Sequence, residues 1–366
     1  MKFGYYMPVK LVCGRDCVRE NAALFAPFGK NALIVTGKSS KTNGALADAE
    51  AALSSNGQSS CVYDKVPPNP TVASVREGGR LAREFGAEFI IAIGGGSPMD
   101  AAKAIAMLAR QEAEDIFSYA PSDDVLPMIH IPTTAGTGSE VTPYSILTND
   151  EKQTKTSISN PAFFPKLAFL DGKYMRSLPQ DTTVYTAMDA MSHAMEGMLS
   201  VRAGALSDAL AKESLRILRA ELPALTEGKY SDDDRDALLY ASTLAGMVIA
   251  NTGTCAVHSM GYSLTYFHGA PHGRANGLLL PAFFSVCEER APARVKEILG
   301  AAGFETSEEL AAALSPLLGE REKIDGEKLR AYAKKASVNK NIKNCRVHFS
   351  EEDLFRVLKN SVGDRH

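Results

Sequence analysis

The chain of 366 residues contains no uninterrupted apolar run of about 18 residues, which excludes a membrane-spanning helix. It has no charge excess either. Forty Lys and Arg stand against 43 Asp and Glu, a net charge of −3, so nothing electrostatic favours a nucleic acid or an acidic membrane surface as partner. The opening stretch, MKFGYYMPVKLVCGRDC, has no long apolar segment behind its first Lys and does not read as a secretory signal. Cysteines are few and dispersed: Cys13, Cys17, Cys61, Cys255, Cys287 and Cys345 form no framework, and Cys13 with Cys17 lacks a companion pair for zinc. A reducing, cytoplasmic setting is expected. There is no internal repeat and no low-complexity tract. With 45% apolar and 23% charged residues the chain is far from a disordered composition. Its length suggests about two domains.

The first half alternates two hydrophobic periods. Ala32–Thr36, Cys61–Asp64, Phe89–Ile93 and Met128–Ile131 read as buried strands. Between them lie helical stretches at about 44–53, after Thr71, and at about 98–110, with Thr71 as an N-cap. This alternation predicts a parallel, Rossmann-like βαβ sheet. From about Pro179 long Ala-, Leu- and Met-rich amphipathic stretches take over, such as Leu206–Leu222 and Arg235–Ala250, and predict an all-helical half. The expected domains are therefore 1–178 and 179–366, with a ligand in the cleft between them.

Gly94-Gly95-Gly96-Ser97-Pro98-Met99-Asp100 follows the most apolar strand. Glycines permit close backbone approach, Ser97 suits an N-cap, Pro98 the first helical position, and Asp100 could close a capping box. Such a turn presents free N–H groups to a phosphate, although a plain glycine turn with a good cap has the same pattern. It is neither GxGxxG nor a Walker motif. A second loop, Pro132 to Thr142, offers hydroxyls suited to sugar and phosphate, or simply a polar surface turn. Two such loops at strand ends point to a dinucleotide.

Only seven histidines are present: His130, His193, His258, His268, His272, His348 and His366. Asp189 and His193 are spaced i, i+4 and so share a helical face, which suits joint ligation of one cation or an ordinary helical hydrogen bond. His258 and His272 follow in the same half. One carboxylate and three imidazoles suit a borderline divalent ion such as Fe(II), Zn(II), Ni(II) or Co(II) better than Mg or Ca. His268 is read as lining the pocket, His130 as a satisfied core residue, and His348 and His366 as peripheral.

Asn69-Pro70-Thr71, Gly94–Ser97 with Asp100 and Lys103, TTAGTGSEVT (133–142), Asp189 with His193, His258, and Pro271-His272-Gly273 occur in the order seen in the iron-containing alcohol dehydrogenases, and the chain resembles that family over nearly its whole length. The resemblance implies a dehydroquinate synthase-like architecture and a divalent metal, Fe2+ or Zn2+ or a similar ion, on Asp189, His193, His258 and His272. It places the dinucleotide on Gly37, Lys38, Ser39, Asn69, Gly94, Gly95, Gly96, Ser97, Asp100, Thr133, Thr134, Thr137, Ser139 and Lys155. Tyr262 and His268 join the ligands as expected catalytic-site residues. Two positions depart from the pattern. Gly37, followed by Lys38, Ser39 and Ser40, replaces an acidic residue that would hold the adenosine ribose, so NADP(H) is favoured over NAD(H). Tyr262 stands where some members have a histidine for proton transfer.

The implied reaction is hydride transfer between nicotinamide C4 and a short alcohol, diol or aldehyde whose oxygen the metal polarises. The rival within the same architecture is a glycerol or glycerol-1-phosphate dehydrogenase-like or dehydroquinate synthase-like enzyme, for which Arg202 and Arg274 would supply positive charge. A non-catalytic nucleotide-binding protein is the other. Tyr144, Ile249, Tyr262, Tyr266 and His268 are expected to wall the pocket. A homodimer or higher homo-oligomer is expected, with Tyr5–Cys13 as a β segment pairing across it.

Overall fold

A computed structural model describes residues 3–118 and 122–364. One compact unit holds Met7–Leu178 and Ser231–Leu239; the other holds Met1–Tyr6, Pro179–Tyr230 and Tyr240–His366. The expected division at 178 and 179 differs from these units in two segments. Residues 231–239 join the sheet unit because Arg15 Nε pairs with Asp236 at 2.9 Å, Arg176 Nε with Asp232 at 2.7 Å, and Gly172 N–H donates to Asp236 at 3.2 Å. The N-terminal residues join the helical unit through Tyr6, whose N–H and C=O pair with the Asn251 amide at 2.8 and 3.1 Å.

The sheet unit contains strands β1 (Lys10–Cys13), β2 (Asn31–Thr36), β3 (Ser59–Tyr63), β4 (Phe89–Gly94), β5 (Met128–Pro132) and β8 (Leu167–Leu170), all parallel, in the order β1-β8-β5-β4-β2-β3. Only Lys10–Cys13 of the expected N-terminal β segment is a strand, and it pairs with β8 of its own chain. β6 (Tyr144–Asn149) and β7 (Thr154–Ser159) form a separate antiparallel hairpin. Helices α1 (Cys17–Glu20), α2 (Ala45–Ser55), α3 (Val72–Phe85) and α4 (Gly96–Leu108) complete the unit.

The continuous apolar runs of β2 and β4 follow from burial on both faces. Alternate side chains go to opposite sides. Leu33, Val35, Ile90 and Ala92 pack with Met99, Ala102 and Ile105 of α4, while Ala32, Ile34, Phe89, Ile91 and Ile93 pack with Ala45, Ala49 and Leu53 of α2. Each buried Ile, Leu or Val contributes roughly 1.5–3 kcal/mol. α3 starts where expected: Thr71 Oγ1 accepts from Ser74 N–H at 3.2 Å, and Ser74 Oγ accepts from Thr71 N–H at 3.1 Å, a reciprocal capping box.

The helical unit consists of α5 (Gln180–Leu199), α6 (Ala205–Ala220), α7 (Leu222–Glu227), most of α8 (Asp232–Thr252), α9 (Ala256–His268), α10 (His272–Glu288), α11 (Pro292–Ala301), α12 (Ser307–Leu318), α13 (Gly326–Ser337) and α14 (Glu351–Val362). Every residue of α5 from Ala187 to Leu199 is buried, so α5 is the central helix of this unit. Its neighbours approach closely because glycines face the contacts. A Cβ on Gly197 would lie 2.2 Å from Val248 of α8, and one on Gly273 of α10 would lie 1.8 Å from the Tyr185 carbonyl oxygen. No helix among the described residues is long and apolar enough to cross a membrane.

Candidate metal centre and nucleotide loops

α5 carries Asp189 and His193 one turn apart, α9 carries His258 as its third residue, and α10 opens on His272. The close α5–α10 packing brings these three helices' polar residues to one point. Asp189 Oδ1 lies 3.8 Å from His193 Nε2, 3.6 Å from His258 Nε2 and 3.6 Å from His272 Nε2. The ligand atoms of Asp189, His258 and His272 all fall within 4.8 Å of one another. His193 joins them through Asp189 and stacks on His258 with ring centroids 4.8 Å apart. Tyr262, one turn beyond His258, stacks on His272 at 5.9 Å.

This donor set fits a divalent transition-metal ion. At about 2.0–2.2 Å from a central ion, tetrahedrally arranged donors stand about 3.3–3.6 Å apart, close to the spacings found. The electrostatics agree. Burial would raise the Asp189 carboxyl, yet the imidazoles of His193, His272 and His258 hold it well below the usual carboxylate range. Burial would lower His258, but Glu196 and Asp189 raise it to about 9. Two buried carboxylates thus favour positive charge at this point.

Two contributors were not among the expected residues. Glu196, fully buried on α5, contacts His258 Nδ1 with one oxygen and accepts from Cys255 N–H at 3.0 Å and Val257 N–H at 2.9 Å with the other. It therefore orients His258 and fixes the start of α9 at once. Asn276, also fully buried, donates from Nδ2 to Asp189 Oδ1 at 2.9 Å. Helical spacing was the available signal: Glu196 falls three residues after His193, and Asn276 four after His272. Glu196→Gln should weaken divalent metal binding by about 10–100-fold, as found for partners that orient a metal-binding histidine. Isothermal titration of the metal-free variant checks this, and an unchanged affinity would remove the orienting role.

The structure does not bring His268 to the centre. It ends α9, is exposed, and its Nε2 meets the Tyr332 hydroxyl at 3.0 Å; it lies ten positions past His258 on the same helix, about 15 Å along the axis. His130 is buried on β5 as expected of a core residue, but neither ring nitrogen has a hydrogen-bond partner, so it is not satisfied; burial and nearby Lys103 keep it uncharged. His348 is exposed, and His366 lies outside the described residues. Of the remaining pocket residues, Ile249 is buried on α8, Tyr266 sits edge-on to Phe267, and Tyr144 opens β6 in the sheet unit. Arg202 donates to the Thr252 carbonyl at 3.1 Å, and Arg274 to the Leu318 carbonyl at 2.8 Å and to Glu322. Both arginines are engaged within the protein, which weighs against a phosphate-bearing substrate held by them.

Of the residues expected to hold a nucleotide, Gly37–Ser39, Gly94–Ser97 and Thr133–Thr137 lie at the carboxyl ends of β2, β4 and β5, where open α/β sheets bind ligands. Gly94 has φ 145, a conformation suited to glycine, and α4 begins at Gly96, two residues earlier than expected, with Gly95 as N-cap. Ser97 is therefore inside the first turn rather than the cap, and its Oγ accepts from Asn69 N–H at 3.1 Å. Asp100 does not close a capping box. Its carboxylate accepts from Ser139 Oγ at 2.6 Å and from Ile146 N–H at 3.1 Å. Added Cβ atoms on Gly95 and Gly96 would lie 2.9 Å from Thr134 and 2.6 Å from Thr137, so the glycine loop and the hydroxyl loop are in contact. Thr133 N–H donates to the Gly94 carbonyl at 2.9 Å.

Fully buried Lys103 holds the hydroxyl loop, donating to Ser139 O at 2.8 Å, Ser139 Oγ at 2.7 Å and Tyr144 O at 2.9 Å. Burial pulls this amine down to about 8 against the opposing pull of Asp100 and Glu140. Asp100 and Ser139, expected to touch cofactor, thus spend their polar atoms on bracing the loop. Lys155 lies on β7 opposite Thr148; burial raises the Asp100 carboxyl above its ordinary value, against the opposing pull of Lys103 and, more weakly, Lys155. Gly37 follows β2, and Lys38 and Ser39 are exposed on the next 3-10 turn.

Comparison with known proteins agrees with both halves. Residues 8–172 match the family model for iron-containing alcohol dehydrogenases, and 183–362 that for the C-terminal part of the same family. The chain is 37% identical over 257 residues to lactaldehyde reductase of Escherichia coli strain K12, covering 69% of this chain and 67% of that protein. A solved iron-containing alcohol dehydrogenase superposes with a TM-score of 0.92 at 37% identity, covering 99% of each chain. Sulfoacetaldehyde reductase of Bifidobacterium kashiwanohense, solved with NAD+, superposes with a TM-score of 0.89 at 29% identity, covering 99% of each. The chain is a member of the iron-containing alcohol dehydrogenase family of oxidoreductases, with its dehydroquinate synthase-like fold.

Proposed function

We propose that this protein is a metal-dependent alcohol dehydrogenase or aldehyde reductase that uses NAD(P)(H) and acts on short alcohols, diols or aldehydes. The observation that carries the reading is one buried carboxylate oxygen with three imidazole nitrogens 3.6–3.8 Å from it. Asp189, His193, His258 and His272 would hold the cation, with iron or zinc equally suited to the donors. When bound, the cation supplies Lewis acidity toward the substrate oxygen, and the nicotinamide supplies or accepts hydride. With Asp189 as the one ligand carboxylate, a divalent ion would keep part of its positive charge to favour developing negative charge on that oxygen. The free N–H groups of Gly95, Gly96 and Ser97 at the start of α4 suit the pyrophosphate, and Thr134 and Thr137 bring hydroxyls to the same loop. Tyr262, stacked on His272, is placed to wall the substrate side or to relay a proton.

Cofactor preference rests on the turn after β2. Gly37 to Lys41 contains no carboxylate, and Lys38 is exposed there, so a 2′-phosphate meets attraction rather than repulsion. Oxidation of NADPH and NADH with a panel of short aldehydes, with and without a chelator, tests the reading. Turnover should disappear with chelation and return with metal, and kcat/KM for NADPH should at least equal that for NADH. Full activity of the metal-stripped protein would refute metal dependence, and a strong NADH preference would refute the reading of Lys38.

A further inference from the structure

Asn276 sits four residues after His272 on α10, directly beside the proposed ligands. Its side chain is fully buried. Nδ2 lies 2.9 Å from Asp189 Oδ1, 3.2 Å from His258 Nε2 and 3.3 Å from His272 Nε2, so one amide nitrogen caps a triangle of three ligand atoms. The other end of the amide is in a different situation. Oδ1 is buried and has no hydrogen-bond partner, an arrangement that costs about 1–3 kcal/mol unless something offsets it. Space for that oxygen is made on the neighbouring helix: a Cβ on Gly261 of α9 would lie 2.3 Å from Asn276 Oδ1. Gly261 is itself three residues after His258, so the two helices that carry His258 and His272 also build the seat of this amide.

We infer that Asn276 is a positioning residue of the metal centre, whose amide N–H holds the Asp189 carboxylate in its binding orientation. The inference rests on the metal reading of the site. Packing alone would favour leucine in a buried position of this volume, because an amide there leaves an orphan oxygen. What the amide adds is a donor 2.9 Å from the ligand carboxylate. Such partners hold a ligand in its binding orientation, so less ordering remains to be done when the ion arrives.

The test measures Co(II) binding to metal-free wild-type protein and to Asn276→Leu, by chelator competition and by the visible ligand-field spectrum. Leucine keeps the volume and removes the donor. The expected result is about 10–100-fold weaker Co(II) binding with a displaced spectrum, in a variant whose circular dichroism matches wild type. Gly261→Ala provides a second route if Asn276→Leu does not fold, since its Cβ would push the intact amide off the ligand triangle, and it should shift affinity and spectrum in the same direction. Affinity within twofold of wild type and a superposable spectrum would overturn the inference alone. Failure of the wild-type protein to bind one Co(II) per chain would overturn the metal reading and this inference with it.

Discussion

Replacing His272 by alanine is expected to yield a folded protein that has lost both its cation and its activity. The side chain opens α10 and is 25% exposed, so its removal leaves little void, and the melting temperature of the metal-free protein should hardly move. The chemical loss is of another order. Asp189, His193 and His258 alone form an incomplete shell, and the Lewis acidity on which the reaction depends goes with the ion. A fall of at least about a thousandfold in kcat/KM, ~4 kcal/mol of transition-state stabilisation, is expected. Metal content by elemental analysis, steady-state kinetics and circular dichroism together separate this from unfolding. A variant that keeps stoichiometric metal and wild-type turnover would remove His272 from the ligand set.

Gly273→Ala, one residue further on, should do comparable damage by a different route. The added Cβ would meet the Tyr185 carbonyl oxygen at 1.8 Å and Asp189 Cβ at 3.1 Å. A backbone oxygen cannot rotate away, so α10 must move off α5, carrying His272 from Asp189. Overpacking of this kind costs typically 1–3 kcal/mol and here should reach the upper end, about 3 kcal/mol. Metal affinity should fall with it, because the two helices supply opposite sides of the ligand set. Denaturant unfolding and metal titration check both expectations. Gly300→Ala is the contrast: it lies in α11 with nothing within 4 Å of the added carbon, and should gain up to ~1 kcal/mol from helix propensity. A Gly273→Ala protein as stable and as metal-competent as wild type would show that the close α5–α10 approach is not what assembles the centre.

The parts of the fold legible in the sequence are those whose side chains report burial directly. The β2 and β4 runs, Ala32–Thr36 and Phe89–Ile93, are apolar throughout because helices cover both faces. The hairpin of β6 and β7 and the internal strand β8, which lies between β1 and β5, are not legible in this way. TKTSIS in β7 is polar and half-exposed, and LAFL in β8 is only four residues long. The start of α4 was misplaced because Ser97 and Pro98 carry strong capping signals, whereas the turn is made by Gly94 at φ 145. In the metal centre, Asp189 and the histidines stand out by residue type and spacing. Glu196 and Asn276 do not, since a Glu or an Asn on a helix has an ordinary solvent-facing role far more often. Only the convergence of α5, α9 and α10 shows that both are buried, Glu196 against His258 and Asn276 against Asp189. His268 illustrates the converse: expected to line the pocket, it is separated from His272 by the turn at Gly269–Pro271 and meets Tyr332 instead.

In the proposed enzyme a single divalent cation is held by Asp189, His193, His258 and His272. Anomalous diffraction from crystals of the metal-loaded protein grown with NADP(H), collected on both sides of the iron and zinc absorption edges, tests it most directly. One peak per chain within about 2.0–2.3 Å of the Asp189 oxygen and the three imidazole nitrogens is the predicted result. A loaded, active protein whose anomalous peak lies elsewhere, or which shows none, would contradict the account.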